Sequence, residues 1–93
     1  MDLDTLKNET LNLIDQYNRD EAHRRVTPIN GYGDPSGTIR LYWALWSDNQ
    51  HSTYQIGFMY HNDQLHPMGS NKSIPLEQAI DNFKIQLEDI PSR

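Results

Sequence analysis

The sequence predicts a two-layer α+β domain with element order α-β-β-β-α, and three observations predict it. Thr38 to Met68 alternates in the manner of a three-stranded antiparallel meander. A helical stripe of apolar residues precedes it, and a second stripe follows it. Each element has one apolar side to bury, and helices packed on one face of an antiparallel sheet are the economical solution. Ninety-three residues make one small domain, 1–93, with a limited core.

The first helix is expected from Met1 to about Arg25. Asp2 or Asp4 suits the N-cap, where a carboxylate accepts free backbone N–H groups and meets the positive end of the helix dipole. Leu3, Leu6, Leu13, Ile14 and Tyr17 recur at helical spacing and form one stripe. Asp15–Arg19, Asp20–Arg24 and Glu21–Arg25 are acid-to-base pairs four residues apart, in the favourable orientation. Thr27 to Gly37 reads as a loop, because Pro28, Gly31, Gly33, Pro35 and Gly37 interrupt any period.

The meander follows from alternation. In the first strand Ile39, Leu41, Trp43 and Leu45 alternate with Arg40, Tyr42, Ala44 and Trp46. In the second, Tyr54, Ile56, Phe58 and Tyr60 alternate with Gln55, Gly57, Met59 and His61. A turn centred on Asn49-Gln50 sets Leu45 opposite Tyr54, Trp43 opposite Ile56 and Leu41 opposite Phe58, with Tyr42 opposite Gly57. Asn62-Asp63 suits a two-residue hairpin turn, which pairs Tyr60 with Leu65 and Met59 with His66. Pro67 makes the third strand an edge, so the order is 1-2-3 with the first strand as the other edge. The final helix starts after Ser73 and Pro75, and Leu76, Ala79, Ile80, Phe83, Leu87 and Ile90 form its stripe. Both helices are expected on the Ile39/Trp43/Phe58 face.

That register leaves an open face carrying Arg40, Tyr42, Trp46, Gln55, Met59, His61, His66 and Met68. Tyr, Trp, Met and Arg are enriched at the centres of protein interfaces, and an uncovered apolar patch usually binds something. The bland alternatives are that a helix crosses this face or that a homodimer buries it. A weaker candidate is an anion site in which Arg24, Arg25 and Arg40 flank Gly31 and Gly33. A phosphate cradle, however, follows a strand and opens a helix, and this glycine-rich segment does the reverse.

Other chemistries find little support. The chain has no cysteine, which removes disulfides, thiolate metal sites and a Cys nucleophile. His61 and His66 share a face, but a zinc site needs three or four ligands and only Asp63 is near. Asp48, His51 and Ser52 cluster at a hairpin tip, which offers neither held geometry nor an oxyanion hole. No catalytic motif, cofactor fingerprint or metal set is present, and the expectation is a non-enzyme without cofactor. A net charge of −5 argues against direct nucleic-acid binding, which needs clustered Lys and Arg. No apolar run approaches a membrane span or a signal sequence, so the expected setting is cytoplasmic.

The helix-strand-strand-strand-helix order resembles the double-stranded-RNA-binding domain in topology. Such domains carry a basic cluster at the start of the second helix, where this chain has Ile74-Pro-Leu-Glu-Gln78 with only Lys72 nearby, so charge rules against that function. The C-terminal half, ending in Leu76-Glu-Gln-Ala-Ile-Asp-Asn-Phe83, resembles WGR-type domains without their Trp-Gly-Arg signature. The expected function is a protein-binding inhibitor that occludes a larger, basic, nucleic-acid-handling protein. Phage- or plasmid-encoded anti-CRISPR and toxin-immunity proteins supply the analogy. The alternative is a module that stacks a nucleotide or other anion on Tyr42 or Trp46.

Overall fold

The computed structural model describes the backbone of residues 2–33, 39–47 and 52–92, and the side chains of these except 29–33 and 39–46. Its class is α+β. Helix α1 spans Leu3–Asn18, and strands β1 (Val26–Gly33), β2 (Ile39–Ser47), β3 (Thr53–His61) and β4 (Gln64–Pro67) follow. A single 3-10 turn, Leu76–Gln78, leads into helix α2, Ala79–Glu88. The strands form one antiparallel sheet in the order β1-β2-β3-β4.

Helix α1 starts where its capping chemistry places it. Asp2 is extended and its carboxylate accepts the Thr5 N–H at 2.8 Å. The helix stops seven residues short of the expected Arg25. The Asp20 carboxylate accepts the Ala22 N–H at 2.9 Å, a local bond that competes with helical continuation. Of the three expected charge pairs along α1, Asp15–Arg19 closes at 2.7 Å on the helix, whereas Asp20 and Glu21 lie beyond its end. The Asn18 side-chain amide then fastens the next element. Its Nδ2 donates to the Val26 carbonyl at 2.8 Å and its Oδ1 accepts the Val26 N–H at 2.9 Å.

The segment expected as a loop contains β1, and this is the first correction. Val26 to Gly33 pairs with β2, with one extra residue between Ile29 and Tyr32. An edge strand tolerates Pro28, and a bulge absorbs Asn30-Gly31. The sheet therefore has four strands rather than three, and β2 is interior rather than an edge. Residues 34–37, the rest of the expected loop, and Thr38 at the expected start of the meander lie outside the described residues.

The second correction is the β2–β3 register. Trp46 pairs with Tyr54, Ala44 with Ile56, Tyr42 with Phe58 and Arg40 with Tyr60. This is one residue away from the expected pairing, and a one-residue slip moves every position of a strand to the other face. Trp43, not Tyr42, stands opposite Gly57. At the β3–β4 hairpin the pairs Tyr60–Leu65 and Met59–His66 match the sequence reading, and Asn62 and Asp63 both have positive φ, 53° and 58°.

Among the described residues, the core lies on one face of the sheet. Leu6 and Ile14 from α1, Val26 from β1, Ile56 and Phe58 from β3, Leu65 from β4, and Ala79, Phe83 and Leu87 from α2 form one buried cluster. Phe58 and Phe83 meet at its centre with ring centroids 6.1 Å apart. Thr10 also lies in the α1 stripe, where its hydroxyl donates to the Lys7 carbonyl at 2.8 Å and so enters the core satisfied. The final stripe buries as its spacing predicts, although Pro75 occupies the cap position and Ser73 does not. Ile74 instead bridges to Leu65, its N–H donating to the Leu65 carbonyl at 2.9 Å.

Candidate binding face

Directly paired residues of adjacent strands lie on the same face of a sheet, so the registers sort every strand position. The positions of Arg40, Tyr42, Ala44 and Trp46 share a face with Tyr54, Ile56, Phe58, Tyr60 and Leu65. That is the helix-covered face, since Ile56, Phe58 and Leu65 belong to the core. The opposite, outer face takes the positions of Leu41, Trp43 and Leu45 on β2 and of Gln55, Gly57, Met59 and His61 on β3. Ile29 and Tyr32 extend it across β1, and Gln64 and His66 across β4.

The expected binding set is therefore divided. Gln55, Met59, His61 and His66 do share the outer face, Gln55 exposed and the other three half-buried. Met68 continues β4, and its N–H donates to the Gly57 carbonyl at 2.9 Å. Arg40, Tyr42 and Trp46 belong by position to the helix side, because β2 is registered one residue away from the expectation. The residues missed include those at the positions of Ile39, Leu41, Trp43, Leu45, Ile29 and Tyr32. Both sides of β2 are apolar in sequence, so no polarity contrast marked which side faces the helices.

The expected anion set is also divided. Arg24 and Arg25 precede the first residue of β1, whereas Gly33 ends it and pairs with Arg40. An eight-residue strand spans roughly 23 Å, so the two groups sit at opposite ends of β1. Gly31 lies in the strand at the bulge and opens no helix. The Arg24 guanidinium is engaged elsewhere, its Nε donating to the Pro91 carbonyl at 3.1 Å.

Among the described residues, no three His, Asp or Glu side chains come together as a metal site. His61 and Met59 do lie beside Gln64 and His66 across the hairpin. Asp48 and His51 of the expected tip cluster lie outside the described residues. Two smaller features complete the surface. His23 stacks on Tyr17 with centroids 4.0 Å apart, and its Nδ1–H donates to the Tyr17 carbonyl at 2.9 Å. Burial there pushes the Tyr17 hydroxyl above its ordinary value. A shallow groove of about 290 Å³ lies on the outside of α2, lined by Ile74, Gln78, Asp81, Asn82 and Ile85.

What supports the outer face is a layer of α2 chemistry beneath it. Gly57 has φ 119°, a conformation that L side chains rarely adopt. This turns its N–H out of the β4 ladder and toward α2, where Gln86 Oε1 accepts it at 2.6 Å. Gln86 Nε2 donates back to the Gly57 carbonyl at 3.2 Å and to Asn82 Oδ1 at 2.8 Å. The amide thus pairs with the strand as a neighbouring peptide group would, and it pins the middle of β3 to the helix layer.

No described helix is long and apolar enough to cross a membrane. No protein-family model, curated protein or solved structure matches this chain.

Proposed function

We infer that this chain is a non-enzymatic protein-binding module and that the outer sheet face is its binding surface. One observation carries the reading. Both faces of the sheet have apolar positions, yet among the described residues the buried core and both helices belong to one face only. The positions of Ile29, Tyr32, Leu41, Trp43, Leu45 and Met59 make an apolar tract on the other. Tracts of that kind mark interaction sites, and a four-stranded sheet fixed to two helices presents this one without rearrangement.

The mode of action that fits is occlusion, in which a rigid face covers a functional surface of a larger protein. Phage- and plasmid-encoded inhibitors of host defence, anti-CRISPR proteins among them, and toxin-immunity proteins supply the analogy for a small acidic domain of this type. Small-anion binding has no comparable support, because Arg24 and Arg25 lie at the opposite end of β1 from Gly33 and Arg40.

The test is affinity capture with immobilised wild type beside a Trp43→Ala, Met59→Ala double variant and an Ile85→Ala control on the α2 surface. Near-ultraviolet circular dichroism first establishes that each is folded. The expected outcome is a partner retained by wild type and by Ile85→Ala and lost from the double variant. Equal retention by all three removes the outer face as the binding surface.

A further inference from the structure

We propose that the outer sheet face takes a second copy of this chain, the two sheets stacking face to face about a two-fold axis. This rests on reading that face as a protein-binding surface, and it names the occupant. The first support is the distribution of charge. The chain has 13 acidic residues and 8 Lys and Arg. Yet no Asp, Glu, Lys or Arg occupies any registered position on the outer face. The acids lie elsewhere, as with Asp4 and Asp15 on α1 and Glu77, Asp81, Glu88 and Asp89 on or beside α2. A strongly charged partner finds no complement on such a face. A second copy of the same face meets apolar rows and the side-chain amides of Gln55 and Gln64, which both donate and accept, with no like charges opposed. A two-fold contact requires that kind of self-complementary patch.

The second support is the separation of the acidic layers. Stacked sheets lie ~10 Å apart, and each copy's helices sit on the far side of its own sheet. The helical acids of the two copies are then farther apart than the ~8 Å Debye length at physiological salt. A net charge of −5 on each chain therefore does little to oppose this arrangement. The third support is area. Four strands spaced ~4.8 Å apart, the central pair nine residues long, give a face on the order of 500 Å² in plan. Two copies then bury about 1,000 Å², the lower bound for a specific interface. Dimerisation is accordingly concentration-dependent, and a target that uses the same face displaces the second copy.

Sedimentation equilibrium over a wide concentration series tests the inference, using wild type, Met59→Lys, Gln55→Glu and the helix-surface control Ile85→Lys. Gln55 is exposed in the single chain, so its variant keeps the test valid if Met59→Lys fails to fold. The expected result is a monomer–dimer equilibrium for wild type and Ile85→Lys, shifted at least tenfold toward monomer by either face variant. Wild type that stays monomeric throughout overturns the inference, and so does a dimer that neither face variant weakens. The same variants in the capture experiment separate the two claims. Monomeric wild type whose partner is lost with Gln55→Glu leaves the face a binding surface for another protein, and an unchanged partner removes that reading as well.

Discussion

At the scale of single residues, two side-chain amides do work that backbone normally does. Gln86 holds both polar groups of Gly57, and Asn18 holds both polar groups of Val26. Replacing Gln86 by Leu leaves the half-buried Gly57 amide unpaired, which is expected to destabilise the fold by ~1–3 kcal/mol in urea titration. Gly57→Ala is expected to lose a comparable ~1–3 kcal/mol through its positive φ. Because both changes break one contact, their losses should fall short of additive in a double-mutant cycle. Acid acts at another residue. The Thr5 N–H holds the Asp2 carboxyl below its ordinary value of 3.8. A carboxyl depressed by folding contributes stability above its unfolded value and loses it as pH falls through its folded value. The stability gap between wild type and Asp2→Ala should therefore be full at neutral pH and close below about pH 4. Asp2 was legible as a cap from sequence because capping is local. The amide clamps were not, since each joins residues that only the tertiary fold brings together.

At the scale of elements, the helices and β3 were legible and β1 and the β2 register were not. The α2 stripe shows why the legible part was secure: Phe83 and Leu87 alternate with charged neighbours, so only one side can face a core. Phe83→Ala is expected to destabilise by ~3–5 kcal/mol, measured by thermal or denaturant unfolding, because it empties the contact with Phe58. Strand β2 has no such contrast. In sequence Trp43 and Leu45 at one set of alternate positions are as apolar as Tyr42 and Trp46 at the other, and the turn alone had to set the register. Ser47 pairs with Thr53, which leaves five intervening residues where an even-numbered turn was expected. Strand β1 was hidden by Pro28, Gly31 and Gly33, which break an interior strand but not a bulged edge. The apparent extension of α1 rested on charge pairs at Asp20 and Glu21, and those weigh a few tenths of a kcal/mol against a carboxylate bonded to its own turn.

At the scale of the whole molecule, the two layers divide the labour of charge. The helical layer is acidic, and the registered outer face carries no formal charge. Salt distinguishes what each layer binds. Raising sodium chloride from 50 to 500 mM should leave a sheet-to-sheet dimer unchanged or tighter in sedimentation, since its contacts are apolar. A complex held by the acidic helices to a basic protein should weaken over the same range. The register error in the sequence reading matters most here, because it exchanged the two sides of β2 and so misassigned part of the binding face.

The two edges of the sheet share a design. On β1, before the bulge, the outward-pointing positions are Val26, whose polar groups are taken by Asn18, and Pro28, which has no N–H to offer. On β4 they are Leu65, whose carbonyl is taken by Ile74, and Pro67, which again has none. Neither edge can template an added strand at these positions, so a chain with so much β-forming sequence is guarded against growing into fibrils. Pro28→Val with Pro67→Val should restore both missing donors and raise thioflavin-positive aggregation on incubation. Contacts between copies are thereby steered away from endless edge-to-edge ribbons and toward an assembly that closes.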